Sequence, residues 1–177
     1  MTSPKIYLDT CIIRDCFKDR NKHSLDLLEE IEKKQINCIS SIYAILEFLG
    51  IEQDFKYFEK SIGKNEEINS ILRNRHKKNL TQAEFEDIDA NVRKFFGQRQ
   101  YKDIKFVSLT GNGWELGLKI ALYSNIENSD ALHLAAALGE RCDFLVTNDT
   151  FFIKETKNFI KTTPRKLKIC KPEEVKL

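Results

Sequence analysis

Four carboxylates are the residues of this sequence best placed to do chemistry, because each one stands alone among apolar neighbours. They are Asp9, Glu47, Asp130 and Asp149. Asp9 is the one charged residue between positions 6 and 13, and Glu47 is the one charged residue between positions 42 and 51. Burying an isolated carboxylate costs roughly several kcal/mol, so each of these groups needs a compensating partner.

The nearby sequence does not supply that partner. No lysine or arginine lies within three residues of Glu47 or Asp130. The remaining ways to compensate such a carboxylate are a distant base, protonation, or a divalent cation. Carboxylate oxygens are hard ligands of the kind that Mg²⁺ and Mn²⁺ prefer. The four acids therefore indicate a magnesium or manganese site.

Each acid also has a structural explanation when it is considered singly. Asp130 could cap a helix, Asp9 and Asp149 could form turns, and Glu47 could be half-exposed. All four explanations must hold at once to replace the single hypothesis of a shared site, so the shared site is the more economical interpretation.

Short apolar runs that alternate with helical patterns are the elements available to position these acids. The predicted strands are Ile6–Leu8, Ile36–Ile39, Ile104–Leu109, Phe144–Val146 and Leu167–Cys170. The predicted helices are Thr10–Phe17, one capped by Ser24, Ile42–Ile51, Trp114–Tyr123 and Asp130–Leu138. This alternation predicts an α/β fold with a central, mostly parallel sheet of about five short strands flanked by helices. Ligands bind at the carboxyl ends of such strands, which is where Asp9 and Asp149 fall.

The segment from about 53 to 103 has a helical pattern and no evident strand. It contains a predicted capping box, in which Thr81 and Glu84 satisfy each other's backbone amides. We expect one domain over residues 1–177, with this segment as a helical insertion between the third helix and the third strand.

Composition limits the class of protein and its location. The 177 residues include 41% hydrophobic residues and carry a formal net charge of +2, so the overall charge indicates no partner. The five cysteines have no CxxC or zinc-ligand spacing, and we expect reduced, mostly buried thiols. No run of residues is apolar for long enough to cross a bilayer, which predicts a cytoplasmic protein without membrane contact.

Four fragments of the sequence resemble the PIN-domain family of metal-dependent nucleases, which includes the VapC-type toxins of toxin–antitoxin pairs. The fragments are Tyr7-Leu8-Asp9-Thr10, Ser40-Ser41 leading to Glu47, Ser129 to Ala137, and Leu145 to Asp149. Their order and separation resemble the family over residues 4–51 and 104 to about 170. Cys11 departs from the pattern, because the family commonly has Asn or Ser at that position.

The resemblance implies a PIN-like fold and hydrolysis of RNA phosphodiester bonds. It places the catalytic, metal-binding acids at Asp9, Glu47, Asp130 and Asp149, with one or two Mg²⁺ or Mn²⁺ ions. Thr147 or Asn148 could hydrogen-bond a carboxylate or a phosphate oxygen, or these residues could simply form a turn. The implied partners are RNA, an antitoxin protein and a second copy of the chain.

A basic cluster and a histidine have both a functional and a structural interpretation. The cluster consists of Arg73, Arg75, Lys77 and Lys78, which could bind nucleic-acid phosphates or form a solvated helix end. Residues 150–177 hold eight basic residues against three acidic ones and are a second basic surface. His133 lies one helical turn after Asp130, so it could contact the site or be packed in the core.

The main alternative function is a non-catalytic, PIN-like scaffold that binds RNA or a protein partner. The four intact acids argue against it, because a degenerate member would usually have lost one of them. A haloacid-dehalogenase-like phosphatase is disfavoured, because it needs a second aspartate at the position of Cys11.

Overall fold

A parallel sheet places the carboxyl ends of neighbouring strands side by side. The computed structural model describes residues 3–97, 104–161 and 166–177. The strands in these ranges are β1 (Lys5–Leu8), β2 (Asn37–Ser41), β3 (Lys105–Val107), β4 (Phe144–Val146) and β5 (Lys168–Cys170). Every pairing is parallel, and the strand order is β3-β2-β1-β4-β5. The predicted α/β class, with about five short parallel strands flanked by helices, is confirmed.

Helices occupy most of the rest of the described chain. They are α1 (Thr10–Phe17), α2 (Lys22–Lys34), α3 (Ile42–Gly63), α4 (Ile68–Asn74), α5 (Gln82–Phe96), α6 (Gly111–Tyr123), α7 (Asn128–Gly139) and α8 (Thr150–Lys161). The described chain also has two 3₁₀ turns, Arg75–Lys77 after α4 and Pro172–Glu174 after β5. Among the helices described, none combines the length and the apolar character that a bilayer span requires.

The strands are buried because helices cover both faces of the sheet. Tyr7, Ile39 and Leu145, at the centres of three neighbouring strands, have no exposed surface. They pack in one core with the alanine- and leucine-rich residues of α7, among them Leu134 and Ala135. Near-continuous apolar runs are what a parallel sheet buried on both faces requires.

The chain divides into two compact units, Met1–Ala44 with Arg99–Leu177 and Ile45–Gln98. We call the first the sheet unit and the second the helical unit. The prediction of one domain over 1–177, with an insertion at about 53–103, stays a prediction, and its part at 98–103 lies outside the described residues.

The helical unit has its own apolar contacts and the predicted capping box. The rings of Phe48 and Phe95 stack with their centroids 6.2 Å apart. The Glu84 amide donates to Thr81 Oγ1 at 3.3 Å, and the Thr81 amide donates to Glu84 Oε2 at 2.6 Å. Both halves of the capping box are therefore present, as the sequence predicts.

Several predicted helix boundaries differ from the structure, and two of them have a clear physical cause. Ser24 is not the cap of α2, because the Asn21 side chain accepts the amides of His23 at 3.0 Å and Ser24 at 3.4 Å and starts the helix earlier. The third helix does not stop at Ile51 but continues to Gly63, since residues 52–62 contain no proline or glycine to end it.

Helix α8 was absent from the sequence-based prediction. The Asp149 side chain starts it by accepting the amides of Phe151 at 2.7 Å and Phe152 at 2.9 Å. An acid followed by apolar residues at helical spacing, Phe152 and Phe159, is the sequence signal that could have indicated it.

Candidate active site

Asp9 follows β1 directly, and hydrogen bonds fix both oxygens of its carboxylate. Oδ1 accepts the Thr10 amide at 2.6 Å, so Asp9 caps α1. Oδ2 accepts the Thr147 hydroxyl at 2.6 Å and the Cys11 thiol at 3.2 Å. The residue is 6% exposed, which makes these bonds necessary to hold a charged group there. Asp9 is therefore a buried carboxylate in one fixed orientation.

Cys11 occupies the position where the family pattern commonly has Asn or Ser, and it keeps a donor there. Burial, followed by the negative charge of Asp9, raises the pKa of the Cys11 thiol well above its ordinary value. The thiol therefore stays protonated and can donate to Asp9. Its sulfur also accepts the Asn148 amide at 3.2 Å, which ties the loop after β4 to the start of α1.

Asp130 shares an electrostatic environment with two other acids. It lies in the first turn of α7, three residues after the cap residue Glu127, so it does not cap the helix itself. Burial, then the charges of Asp9 and Asp149, raise the pKa of Asp130 to about 7. The sheet unit thus brings three of the four predicted acids together closely enough for their charges to repel.

Thr147 connects two of those acids. Its hydroxyl, which donates to Asp9, also accepts the Asp149 amide at 3.0 Å. The hydroxyl is fully buried, whereas Asp149 itself is exposed at the start of α8. The sequence predicts a carboxylate hydrogen bond for Thr147 or Asn148, and the structure has one for each.

The partner of Asn148 is Asp15, a residue that the sequence analysis missed. Asn148 Nδ2 donates to Asp15 Oδ2 at 2.6 Å and to Ser24 Oγ at 3.2 Å. Asp15 lies on α1 between arginine and cysteine, and nothing in that local sequence distinguishes it from a surface acid.

His133 is packed in the core and also lies beside Asp9, so both interpretations of the sequence apply. The ring is 1% exposed, and Nδ1 shares a hydrogen bond of 2.7 Å with the Tyr7 hydroxyl. Nε2 lies 3.3 Å from Thr10 Oγ1 and 3.6 Å from Asp9 Oδ1. Burial raises the pKa of Tyr7, so its hydroxyl stays protonated.

Glu47 lies in the helical unit, on the part of α3 that follows Ala44. Its side chain is half-buried. Its predicted membership of the metal site stays a prediction.

The basic cluster divides into two pairs. Arg75 binds Asp54 through both Nε, at 2.8 Å, and a terminal nitrogen, and Lys78 Nζ lies 3.3 Å from the same carboxylate. Arg73 and Lys77 are exposed. Arg75 and Lys78 therefore stabilise the helical unit, and Arg73 and Lys77 present their charges to solvent.

The donors of the sheet unit fit a hard divalent cation. Three carboxylates supply oxygen ligands, and burial, followed by the charges of Asp9 and Asp149, raises the pKa of Asp130. A cation among these oxygens would remove the repulsion and lower that pKa again. Asp9, Asp130, Asp149 and, through Nε2, His133 are residues of this unit that could hold it.

Comparison with known proteins agrees with this architecture. The PIN domain family model matches residues 6–157. A chain in the crystal structure of VapBC2 from Rickettsia felis, bound to a DNA fragment from their promoter, matches with a TM-score of 0.52 at 16% identity. The match covers 93% of this chain and 98% of that one, and at such low identity it shows a shared fold. Among curated proteins, none matches the sequence. Because the family model spans most of its length, the chain belongs to the PIN-domain family.

Proposed function

We propose that the protein is a Mg²⁺- or Mn²⁺-dependent ribonuclease that hydrolyses RNA phosphodiester bonds. PIN domains are in general nucleases. The observation that supports a cation-dependent reaction here is the raised pKa of Asp130, which is caused by burial and then by the charges of Asp9, after β1, and Asp149, after β4. Glu47 is the proposed fourth member of this set.

The chemistry of the cation explains why the acids need not touch the substrate. One or two ions held by these carboxylates would lower the pKa of a bound water and stabilise charge on the phosphate oxygens. The role of the four carboxylates would then be to bind and orient the ions.

The surrounding residues keep the Asp9 carboxylate in its orientation. Thr147 and Cys11 donate to one oxygen and the Thr10 amide donates to the other. The Tyr7 hydroxyl and His133 Nδ1 share a hydrogen bond, which holds His133 Nε2 beside Thr10 and Asp9. These contacts fix the orientation of the Asp9 carboxylate, so its oxygens are placed to bind a cation.

We further propose that the chain is the toxin of a toxin–antitoxin pair, acts on RNA, and pairs with a second copy of itself. The support is the shared fold with a chain of the VapBC2 complex, whose structure contains a DNA fragment from their promoter. Of the basic cluster, Arg73 and Lys77 would contact RNA phosphates, while Arg75 and Lys78 would hold the segment in place.

A cleavage assay tests the nuclease proposal, with the substitution of an aspartate outside the site as its control. The purified chain should cut single-stranded RNA in Mn²⁺, and excess chelator should abolish cleavage until Mn²⁺ is restored. Asp9→Asn should lose at least about 100-fold in rate, as expected when a cation ligand is removed. Asp26→Asn, an exposed acid on α2, should cut like the original chain.

Two results would oppose the proposal. Undiminished cleavage in excess chelator would exclude cation dependence. A folded chain that binds RNA or a protein but never cuts RNA in Mn²⁺ or Mg²⁺ would favour the non-catalytic scaffold. Running the assay on DNA of the same sequence separates a ribonuclease from a general nuclease.

A further inference from the structure

A cavity of about 270 Å³ lies inside the helical unit, between the end of α3 and the 3₁₀ turn after α4. The charged side chains in its lining are Lys60, Lys64, Glu66 and Lys77. Three ammonium groups against one carboxylate give its walls an excess of positive charge. Pockets for drug-sized ligands hold roughly 300–1,000 Å³, so this cavity suits one small anionic group.

The three lysines are not equivalent. Lys60 Nζ is held by Glu84 Oε2 at 3.0 Å and by the Asn79 carbonyl at 3.0 Å. Lys64 and Lys77 are exposed, and neither forms an ion pair with any residue that the structure describes. Lys60 is thus a fixed part of the wall, and the other two ammonium groups can bind an anion.

The turn that carries Lys77 is attached firmly to α3. Asp54, a buried acid of α3, binds Arg75 and Lys78 on either side of Lys77. Lys78 also donates to the Gly50 carbonyl at 3.1 Å. Arg75 and Lys78 are therefore paired with Asp54, whereas Lys77 lies in the lining of the cavity.

The backbone of this turn is strained. Lys78 and Asn79 have consecutive left-handed conformations with φ of 51° and 45°. Residues held in this region cost roughly 1–3 kcal/mol each and cluster at functional sites. In this turn the Asn79 carbonyl accepts a hydrogen bond from Lys60 Nζ at 3.0 Å, and both residues line the cavity.

We propose that this cavity binds a phosphate group, and that its source is the backbone of a nucleic-acid strand. Lysine ammonium groups bind phosphate as point charges. The aromatic residue in the lining, Tyr57, is 4% exposed, and its hydroxyl donates to the Ile71 carbonyl at 3.3 Å. Tyr57 therefore offers no open face on which a base could stack, so the cavity recognises backbone charge and not sequence. The source of the phosphate rests on the proposed function, whereas the binding of phosphate does not.

RNA binding without catalysis tests the proposal. A short fluorescent oligouridine is titrated by anisotropy in excess EDTA at several salt concentrations. Lys64→Ala with Lys77→Ala should weaken binding about tenfold at low salt and reduce the salt slope by about 0.7 for each lost phosphate contact. Lys33→Ala with Lys94→Ala removes the same charge from exposed positions outside the cavity and should leave the slope close to that of the original chain.

A substitution that removes a negative charge from the cavity gives a second test, with the opposite expected effect on binding. Glu66→Gln removes the carboxylate that opposes an anion in the cavity and should strengthen binding, whereas the exposed control Glu29→Gln should not. Both substitutions keep the size of the side chain and alter surface residues, so the fold is retained.

A second titration with inorganic phosphate identifies the source. Loss of oligouridine binding in the cavity variant supports a strand phosphate, and loss of inorganic phosphate binding alone supports a small phosphate ligand. Equal slopes and equal phosphate affinities in the cavity variant and its lysine control would overturn the site. Because EDTA is present throughout, failure of the nuclease assay would leave this result intact.

Discussion

Asp130 is the residue whose environment most directly reflects the clustering of acids. Burial and the charges of Asp9 and Asp149 raise its pKa to about 7, far above the ordinary aspartate value of 3.8. A carboxyl with a raised pKa costs no stability at pH values where folded and unfolded chains are both protonated. The loss of folding free energy grows as the pH rises from about 4, and it is complete above about pH 7.

This loss of stability at high pH gives a prediction for the cation-free protein. Asp130→Asn should raise the unfolding temperature at pH 8 by roughly 2–4 °C, the equivalent of about 1 kcal/mol. The gain should vanish near pH 4. Thermal unfolding in EDTA across this range measures it, with Asp26→Asn as the exposed control. A gain that is the same at pH 4 and pH 8 would contradict electrostatic repulsion as its cause.

The Thr147 hydroxyl gives a second prediction. Thr147→Val keeps the shape of the side chain but removes the donor to Asp9 and the acceptor of the Asp149 amide. Leaving a buried carboxylate short of one partner should cost about 1–3 kcal/mol of unfolding free energy. Cleavage should fall as well, because Asp9 loses its orientation.

Thr156→Val is the matched control for that change. Thr156 is equally buried, but its hydroxyl donates to the Phe152 carbonyl within α8. Its replacement should cost stability and spare the cleavage rate of the folded enzyme. Equal loss of cleavage in both variants would mean that Thr147 acts through stability alone.

The individual residues of the site were predictable to different degrees. Asp9, Asp130 and Asp149 could be found because a lone charge in an apolar run is visible in one sequence. Asp15 and the hydrogen bond between Tyr7 and His133 could not, because the bonded partners lie more than one hundred residues apart in the sequence. Contacts between distant residues leave no local pattern.

At the scale of elements, α8 depends on Asp149 for its start. The Asp149 carboxylate accepts two backbone amides, so this residue has a capping role besides its proposed role at the cation. Asp149→Asn keeps the accepting oxygen and should preserve stability while weakening Mn²⁺ binding. Asp149→Ala should lose about 1 kcal/mol of unfolding free energy in addition.

Chemical unfolding and Mn²⁺ titration of the two variants separate those roles. If Asp149→Asn bound Mn²⁺ as the original chain does, Asp149 would be a cap and no ligand. If Asp149→Ala were as stable as Asp149→Asn, the cap would contribute nothing to α8.

Element boundaries were harder to predict than the elements themselves. The limits of α1 and β4 agree with the sequence prediction, because Asp9 caps one and apolar residues fill the other. The end of α3 was wrong because polar helix formers after Ile51 hide its continuation. A helix is recognised in a sequence by apolar residues that recur at helical spacing, so a polar segment without such a stripe is hard to recognise.

At the scale of the whole molecule, the sheet was the most predictable feature. Strands that are apolar on both faces and alternate with helices allow little besides a parallel α/β arrangement, and the family match over residues 6–157 agrees with it. The division into a sheet unit and a helical unit was less visible, because α3 runs through the boundary at Ala44 without a break in sequence pattern.

We propose that Asp9, Glu47, Asp130 and Asp149 together hold a divalent cation. Calorimetric titration of the cation-free chain with Mn²⁺ at pH 8, where Asp130 is ionised, tests it most directly. We predict saturable binding of one or two ions, weakened at least about tenfold in Asp9→Asn and in Glu47→Gln, with Asp26→Asn unchanged. No saturable binding by the original chain, or the same affinity in Asp9→Asn, would contradict it.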